Sequence, residues 1–148
     1  MASEFERVLR SPRELPTSRT ERSLLRMQVS YRSGFPMVYL SGELDHHSAG
    51  ELRAVIEQEL SAGATGLLLE TSELRYIDSG GLSLLFDTLH RLEDTGGLGI
   101  VGPNEGVGKL MELTGLVDRP GFHIFPDLAS VGATVAQLLG APRPSLDL

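Results

Sequence analysis

Two short stretches of this sequence carry most of its chemistry. Tyr76-Ile77-Asp78-Ser79-Gly80-Gly81-Leu82 joins an extended segment to a helix on which Leu82, Leu85, Phe86, Leu89 and Leu92 form one apolar stripe. Asp78 has N-cap chemistry, which puts Ser79 at the first helical position. The first helical N–H groups lack internal partners there, and the helix dipole favours negative charge. A phosphoryl group on Ser79 is therefore expected to be tolerated by the helix start and to stabilise it. Gly80 and Gly81 add no bulk and leave the hydroxyl approachable by another protein. Two Gly in a first helical turn cost roughly 1 kcal/mol each against Ala, which asks for a reason. The same residues would also serve as a tight, well-capped strand-to-helix turn with no further role.

The second stretch is Ser41-Gly42-Glu43-Leu44-Asp45-His46-His47, which reads as the loop between a strand and the first helix. Loops beyond the carboxyl ends of parallel strands gather on one side of a sheet and form sites. Ser48-Ala49-Gly50-Glu51 has capping-box spacing, so Ser48 is the expected cap. Asp45, three residues earlier, is then surplus to capping and is expected to serve function more than folding. Glu43, Asp45, His46 and His47 are metal-ligand types, but adjacent His residues point apart in extended chain and no second cluster completes a site. No metal or cofactor is expected. Asp-Ser-Gly-Gly also occurs around a serine-protease nucleophile. The apolar stripe that follows says helix, though, and His46, His47, His90 and His123 suggest no triad spacing.

These stretches need elements to position them. Met27–Arg32 and Pro36–Ser41 read as strands around a Ser33-Gly34 turn. A helix follows Ser48, with Leu52, Val55, Ile56 and Leu60 at helical spacing. Leu67-Leu68-Leu69 suits a strand buried on both faces. Beyond the helix after Asp78, Gly96-Gly97 is a stop and Leu98–Val101 a strand. Asn104 caps a third helix with Val107, Leu110 and Met111, ended by Gly115. Phe122–Phe125 is a last strand, and Asp127 opens a last helix with Leu128, Val131, Val135 and Leu138. The order β-β-α-β-α-β-α-β-α predicts an α/β fold with a mixed, mainly parallel sheet. Residues 1–26 are expected to be a flexible Arg-rich leader, 27–139 the domain, and 140–148 a flexible tail.

Composition narrows the function. The 148 residues hold no Cys, which excludes disulfides and thiolate chemistry. Residues 1–26 carry six Arg and four Glu, whereas the remainder carries 7 basic and 16 acidic residues. An acidic body argues against nucleic-acid binding, which needs clustered Lys and Arg. No run approaches the ~18 apolar residues of a membrane helix. No apolar signal region follows Met1, so a cytoplasmic location is expected.

Gly42-Glu43-Leu44-Asp45, Ile77-Asp78-Ser79 and Leu113-Thr114-Gly115-Leu116, in this order, resemble the STAS domain of small bacterial anti-sigma factor antagonists. The resemblance covers about residues 27–139. The family usually shows Asp-Ser-Ser-Gly-Leu or Asp-Ser-Thr-Gly-Leu, and here Gly80 replaces the second hydroxyl residue. The resemblance implies a non-catalytic partner switch. An anti-sigma factor with serine kinase activity holds a sigma factor inactive, and the unphosphorylated antagonist binds it and frees sigma. Phosphorylation of Ser79 reverses the binding, and a phosphatase resets it. Asp45 aligns with the family's acidic residue near that Ser, which makes Asp45, Asp78, Gly80 and Gly81 the expected surroundings of the phosphosite. A scaffold or transport-accessory STAS module, or one that binds a small ligand, is the alternative.

Overall fold

The computed structural model describes residues 23–132. Two strands, β1 (Leu25–Arg32) and β2 (Phe35–Leu44), form an antiparallel hairpin. They are followed by α1 (Ala49–Ser61), β3 (Gly66–Ile77), α2 (Ser79–Leu92), β4 (Gly97–Val101), α3 (Glu105–Leu113) and β5 (Phe122–Phe125). The five strands lie in sequence order, and β2 to β5 are parallel. Strand order never reverses, so right-handed crossovers carry all three helices to the same face. The larger apolar core lies there and joins Leu52 and Ile56 of α1, Leu84, Leu85 and Leu89 of α2, and Val107 and Met111 of α3.

Leu67, Leu68 and Leu69 show how the two faces differ. All three are fully buried. Leu67 and Leu69 enter the helix-side core, while Leu68 points the other way into a smaller cluster with Phe35, Met37, Val101, Phe125 and Val131. The triple Leu run thus serves a strand covered on both sides, as its composition predicts.

Three boundaries depart from the sequence reading. Leu25 and Arg26 belong to β1 and not to a leader: they pair with Gly42 and Ser41, and Leu25 is buried. β2 continues through Ser41–Leu44, where a loop is expected, with register shifts on its β3 side after Tyr39 and after Gly42. Gly42 has φ +101°, and a Cβ there would overlap the Leu24 carbonyl oxygen, so only Gly lets β1 start this close. The third departure is at the start of the last element, where Leu128–Ser130 form a 3-10 turn; the remainder of the expected helix lies outside the described residues. Asp127 caps it, accepting from the Ser130 N–H at 3.0 Å. Val135, Leu138, the tail and residues 1–22 lie outside the described residues.

The β1 start generates a stability prediction. A chain beginning at Met27 loses the buried Leu25 side chain and the 3.2 Å bond from Glu43 N–H to the Leu24 carbonyl. Relative to a chain beginning at Ser23, urea denaturation is expected to show a loss of roughly 2–4 kcal/mol.

Candidate functional site

The register Leu44↔Ile77 places the carboxyl ends of β2 and β3 side by side. The Asp78 N–H donates to the Leu44 carbonyl at 3.2 Å and extends the ladder by one step. Asp45 and Asp78, 33 positions apart in sequence, therefore leave the sheet as neighbours, and the two carboxylates feel one another. The chain turns into α1 after Asp45 and directly into α2 after Asp78.

Asp78 is the N-cap of α2, as its position in the sequence implies. Its backbone is extended (φ −112°, ψ −170°), and Oδ1 accepts from the N–H groups of Gly80 at 2.8 Å and Gly81 at 3.1 Å. The Leu82 N–H is taken by the Asp78 carbonyl at 2.9 Å. The other carboxylate oxygen, Oδ2, receives the backbone N–H of His46 at 3.2 Å and lies 3.2 Å from its ring Nδ1. Burial pushes the Asp78 pKa up, but the bonds from His46, Gly81 and Gly80 outweigh it and hold the carboxyl below its ordinary 3.8.

The α1 turn is built differently from the expected capping box. Ser48 is buried with helical backbone angles, and its side chain does not cap α1. Its hydroxyl instead accepts from the Asp45 N–H at 2.9 Å and donates to the Glu43 carbonyl at 3.0 Å. Asp45 holds the turn before α1: Oδ1 accepts from the N–H groups of His47 at 3.0 Å and Ser48 at 2.9 Å, lies 3.0 Å from the Ser48 hydroxyl, and its backbone carbonyl takes the Ala49 N–H at 2.8 Å. Glu51, the other half of the expected box, is left with a buried Oε1 that has no hydrogen-bond partner among the described residues. The Asp45 carboxylate thus caps no helical N–H but has a structural part in the turn that leads into α1. Its carboxyl lies below the ordinary value; burial raises it and the Asp78 charge adds to that, but the bonds from Ser48 and His47 prevail.

The two glycines have a packing reason. A Cβ on Gly80 would lie 2.7 Å from His46 Cα, and one on Gly81 2.6 Å from the Leu44 carbonyl oxygen. Both contacts are too short for any side chain, so the missing bulk is filled by the β2–α1 turn. Gly80 and Gly81 therefore do not simply open space around Ser79. Ser79 is nonetheless exposed. Of the first-turn N–H groups expected to aid a phosphate, those of Gly80, Gly81 and Leu82 are already engaged, which leaves that of Ser79 itself.

His46 is the residue whose role the sequence hides. Spacing alone gives no sign that it meets Asp78 from 32 positions away. His46 and His47 do not point apart: the chain is turned here, and their ring centroids lie 4.3 Å from each other. Among the described residues, no group of three or more His, Asp or Glu converges in a way that could hold a metal ion.

Residues 26–131 match the STAS domain family. An anti-sigma-B factor antagonist of Staphylococcus aureus is 32% identical over 95 residues, which cover 64% of this chain and 88% of that protein. An anti-sigma F factor antagonist of Paenibacillus polymyxa is 27% identical over 104 residues, covering 69% and 85%. The crystal structure of an anti-sigma factor antagonist from Mycobacterium paratuberculosis superposes with a TM-score of 0.66 at 24% identity, covering 78% of this chain and 93% of that one.

The two carboxylates can be tested separately. Asp45→Ala leaves the His47 N–H without its acceptor and removes one of two acceptors from both the N–H and the hydroxyl of Ser48, and is expected to cost about 1–2 kcal/mol in denaturant unfolding. Asp78, with its pKa lowered in the folded state, stabilises the fold above its unfolded value of about 3.9 and loses that contribution as pH falls through the folded value. Asp78→Asn should therefore destabilise at neutral pH yet show a shallower fall in the urea midpoint below about pH 4.

Proposed function

The chain belongs to the STAS domain family, and we propose that it is an anti-sigma factor antagonist whose binding is switched off by phosphorylation of Ser79. The Staphylococcus and Paenibacillus relatives carry the antagonist function in their names, and the chain spans most of their length. The partner is an anti-sigma factor with serine kinase activity. It transfers the γ-phosphoryl group of ATP to Ser79 Oγ; ADP leaves and the hydroxyl proton is released. A phosphatase hydrolyses the ester and restores the binding form. The chain itself catalyses nothing, contacts no nucleic acid, and works in the cytoplasm. No helix among the described residues is long and apolar enough to cross a membrane.

One observation carries the reading: Ser79 is exposed at a helix start where Asp78 already holds the N–H groups of Gly80, Gly81 and Leu82. A phosphoryl group there finds few helical donors and leaves most of its charge facing whatever docks on this end. It brings about −1.5 to −2 charges to a corner where Asp45 and Asp78 are already ionised. Like charges brought together in an interface cost several kcal/mol, and each 1.4 kcal/mol is tenfold in affinity. The unphosphorylated surface presents only a hydroxyl and is free to bind. Gly80 leaves Ser79 as the single hydroxyl residue of its motif.

The test is calorimetry of the cognate anti-sigma factor against both forms at fixed salt. Ser79→Ala should accept no phosphate and keep its affinity within about twofold, because removing an exposed hydroxyl costs little. Phosphorylated protein should bind at least about 100-fold more weakly, given the charge it brings to the interface. Equal affinities would remove the switch and favour the scaffold role.

A further inference from the structure

A phosphoryl group on Ser79 has three acceptor oxygens and needs donors. The helix start offers one amide, that of Ser79 itself, since Asp78 Oδ1 holds the N–H groups of Gly80 and Gly81 and the Asp78 carbonyl holds that of Leu82. The adjacent carboxylates, Asp45 and Asp78, have the wrong sign. Arg75, two residues before Ile77 on β3, is paired with Glu43 at 3.5 Å. That leaves the imidazoles of the β2–α1 turn. The His46 backbone is pressed against Gly80, the residue next to Ser79, and its ring Nδ1 lies 3.2 Å from Asp78 Oδ2. The side chain is 71% exposed. Its Nε2 has no hydrogen-bond partner among the described residues, and His47 stacks beside it.

Building on the reading of Ser79 as a phosphorylated residue, we propose that His46 is the intramolecular partner of its phosphoryl group, serving Asp78 in the unmodified protein and the phosphate in the modified one. Two features make the exchange possible. Asp78 keeps its Oδ1 bonds to α2 when the imidazole leaves Oδ2, so the helix cap survives. An imidazolium facing a phosphate dianion also gains more than one facing a single carboxylate. Because His46 belongs to the turn that Asp45 and Ser48 build, the modification is felt on two elements, the start of α2 and the entry to α1. His46 is thus a positioning residue for the phosphoryl group, and a partner reading this corner meets a changed turn as well as a new charge.

The exchange has a signature in the phosphate. A donor-bearing, positively charged ring beside the dianion favours its charged form, so the phosphate's second ionisation, ordinarily near 6, is expected to fall by about one unit. The charged and titratable groups near His46 are His47, whose ring lies against its own, and Asp78, which it bonds, with Asp45 beside it in the chain and the Glu43–Arg75 pair at the ends of β2 and β3. All of them are kept when His46 alone is changed.

The full chain with phosphoserine at position 79, inserted during translation, is titrated by 31P NMR from about pH 4 to about pH 9, the range spanning both ionisations. His46→Gln retains a neutral donor for Asp78 and loses the charge, so its 31P midpoint is expected about one unit above that of the parent. His47→Ala should move the midpoint by less than half as much. Superimposable 31P curves for the parent and His46→Gln, or a larger shift in His47→Ala, would overturn the proposal. These readouts report the surroundings of the phosphate whether or not the anti-sigma factor discriminates the two forms. A failure here therefore leaves the binding switch standing, and equal binding would leave this result standing.

Discussion

The carboxylate of Asp78 accepts hydrogen bonds from two chain segments, the first turn of α2 through Oδ1 and the β2–α1 turn, where His46 lies 32 positions before it, through Oδ2. It ties the two segments to one another. Gly80 and Gly81 carry no side chains with which to pack, and their cost to the helix, roughly 1 kcal/mol each, is offset by the cap and by close contact with His46 and Leu44. The parallel register of β2 and β3 is what brings the segments within reach, and sequential strand order puts all the helices behind them on one face. The consequence is a rigid corner with one reactive hydroxyl on its outside.

Rigidity decides how such a corner is regulated. A helix start with free N–H groups would welcome a phosphate and hide part of its charge. Here Asp78 holds the N–H groups of Gly80, Gly81 and Leu82, so on the proposed reading a phosphoryl group on Ser79 changes the surface, the His46 side chain included, and leaves the cap of α2 in place. The free energy available for switching is then electrostatic, and it acts on the partner that has to cover the corner. Such a device needs no second conformation of the domain, and recovery requires only hydrolysis of the ester.

The alternation of strands and helices, the doubly buried Leu67–Leu69 strand and the caps at Asp78, Asn104 and Asp127 are all legible in the sequence, because each rests on local spacing. What local spacing misses depends on contacts between distant segments. Ser48-Ala49-Gly50-Glu51 has the form of a capping box, but β2 runs on to Leu44 and brings the Asp45 carboxylate over the turn first. Ser48 then turns inward toward the Glu43 carbonyl. Gly80 suggests open space because the residue that fills it, His46, approaches from another strand end. The burial of Leu25 is hidden because it depends on pairing with Gly42, a residue whose type and neighbours suggest loop. The corner's chemistry is visible from residue types, whereas the division of labour between Asp45 and Ser48, and the part of His46, require the register of β2 against β3.

Amide hydrogen exchange at Gly80 and Gly81, compared between the unmodified protein and the protein carrying phosphoserine at position 79, tests most directly whether the switch works on an intact corner. Both amides donate to Asp78 Oδ1, at 2.8 and 3.1 Å. If modification acts through surface charge, their protection factors should agree between the two forms within about threefold, a difference well below 1 kcal/mol. A fall of 100-fold or more, about 2.7 kcal/mol, would mean that the phosphate displaces Asp78 and opens the helix start. The switch would then be a local refolding of α2, and a change of charge on an unaltered surface would not explain it.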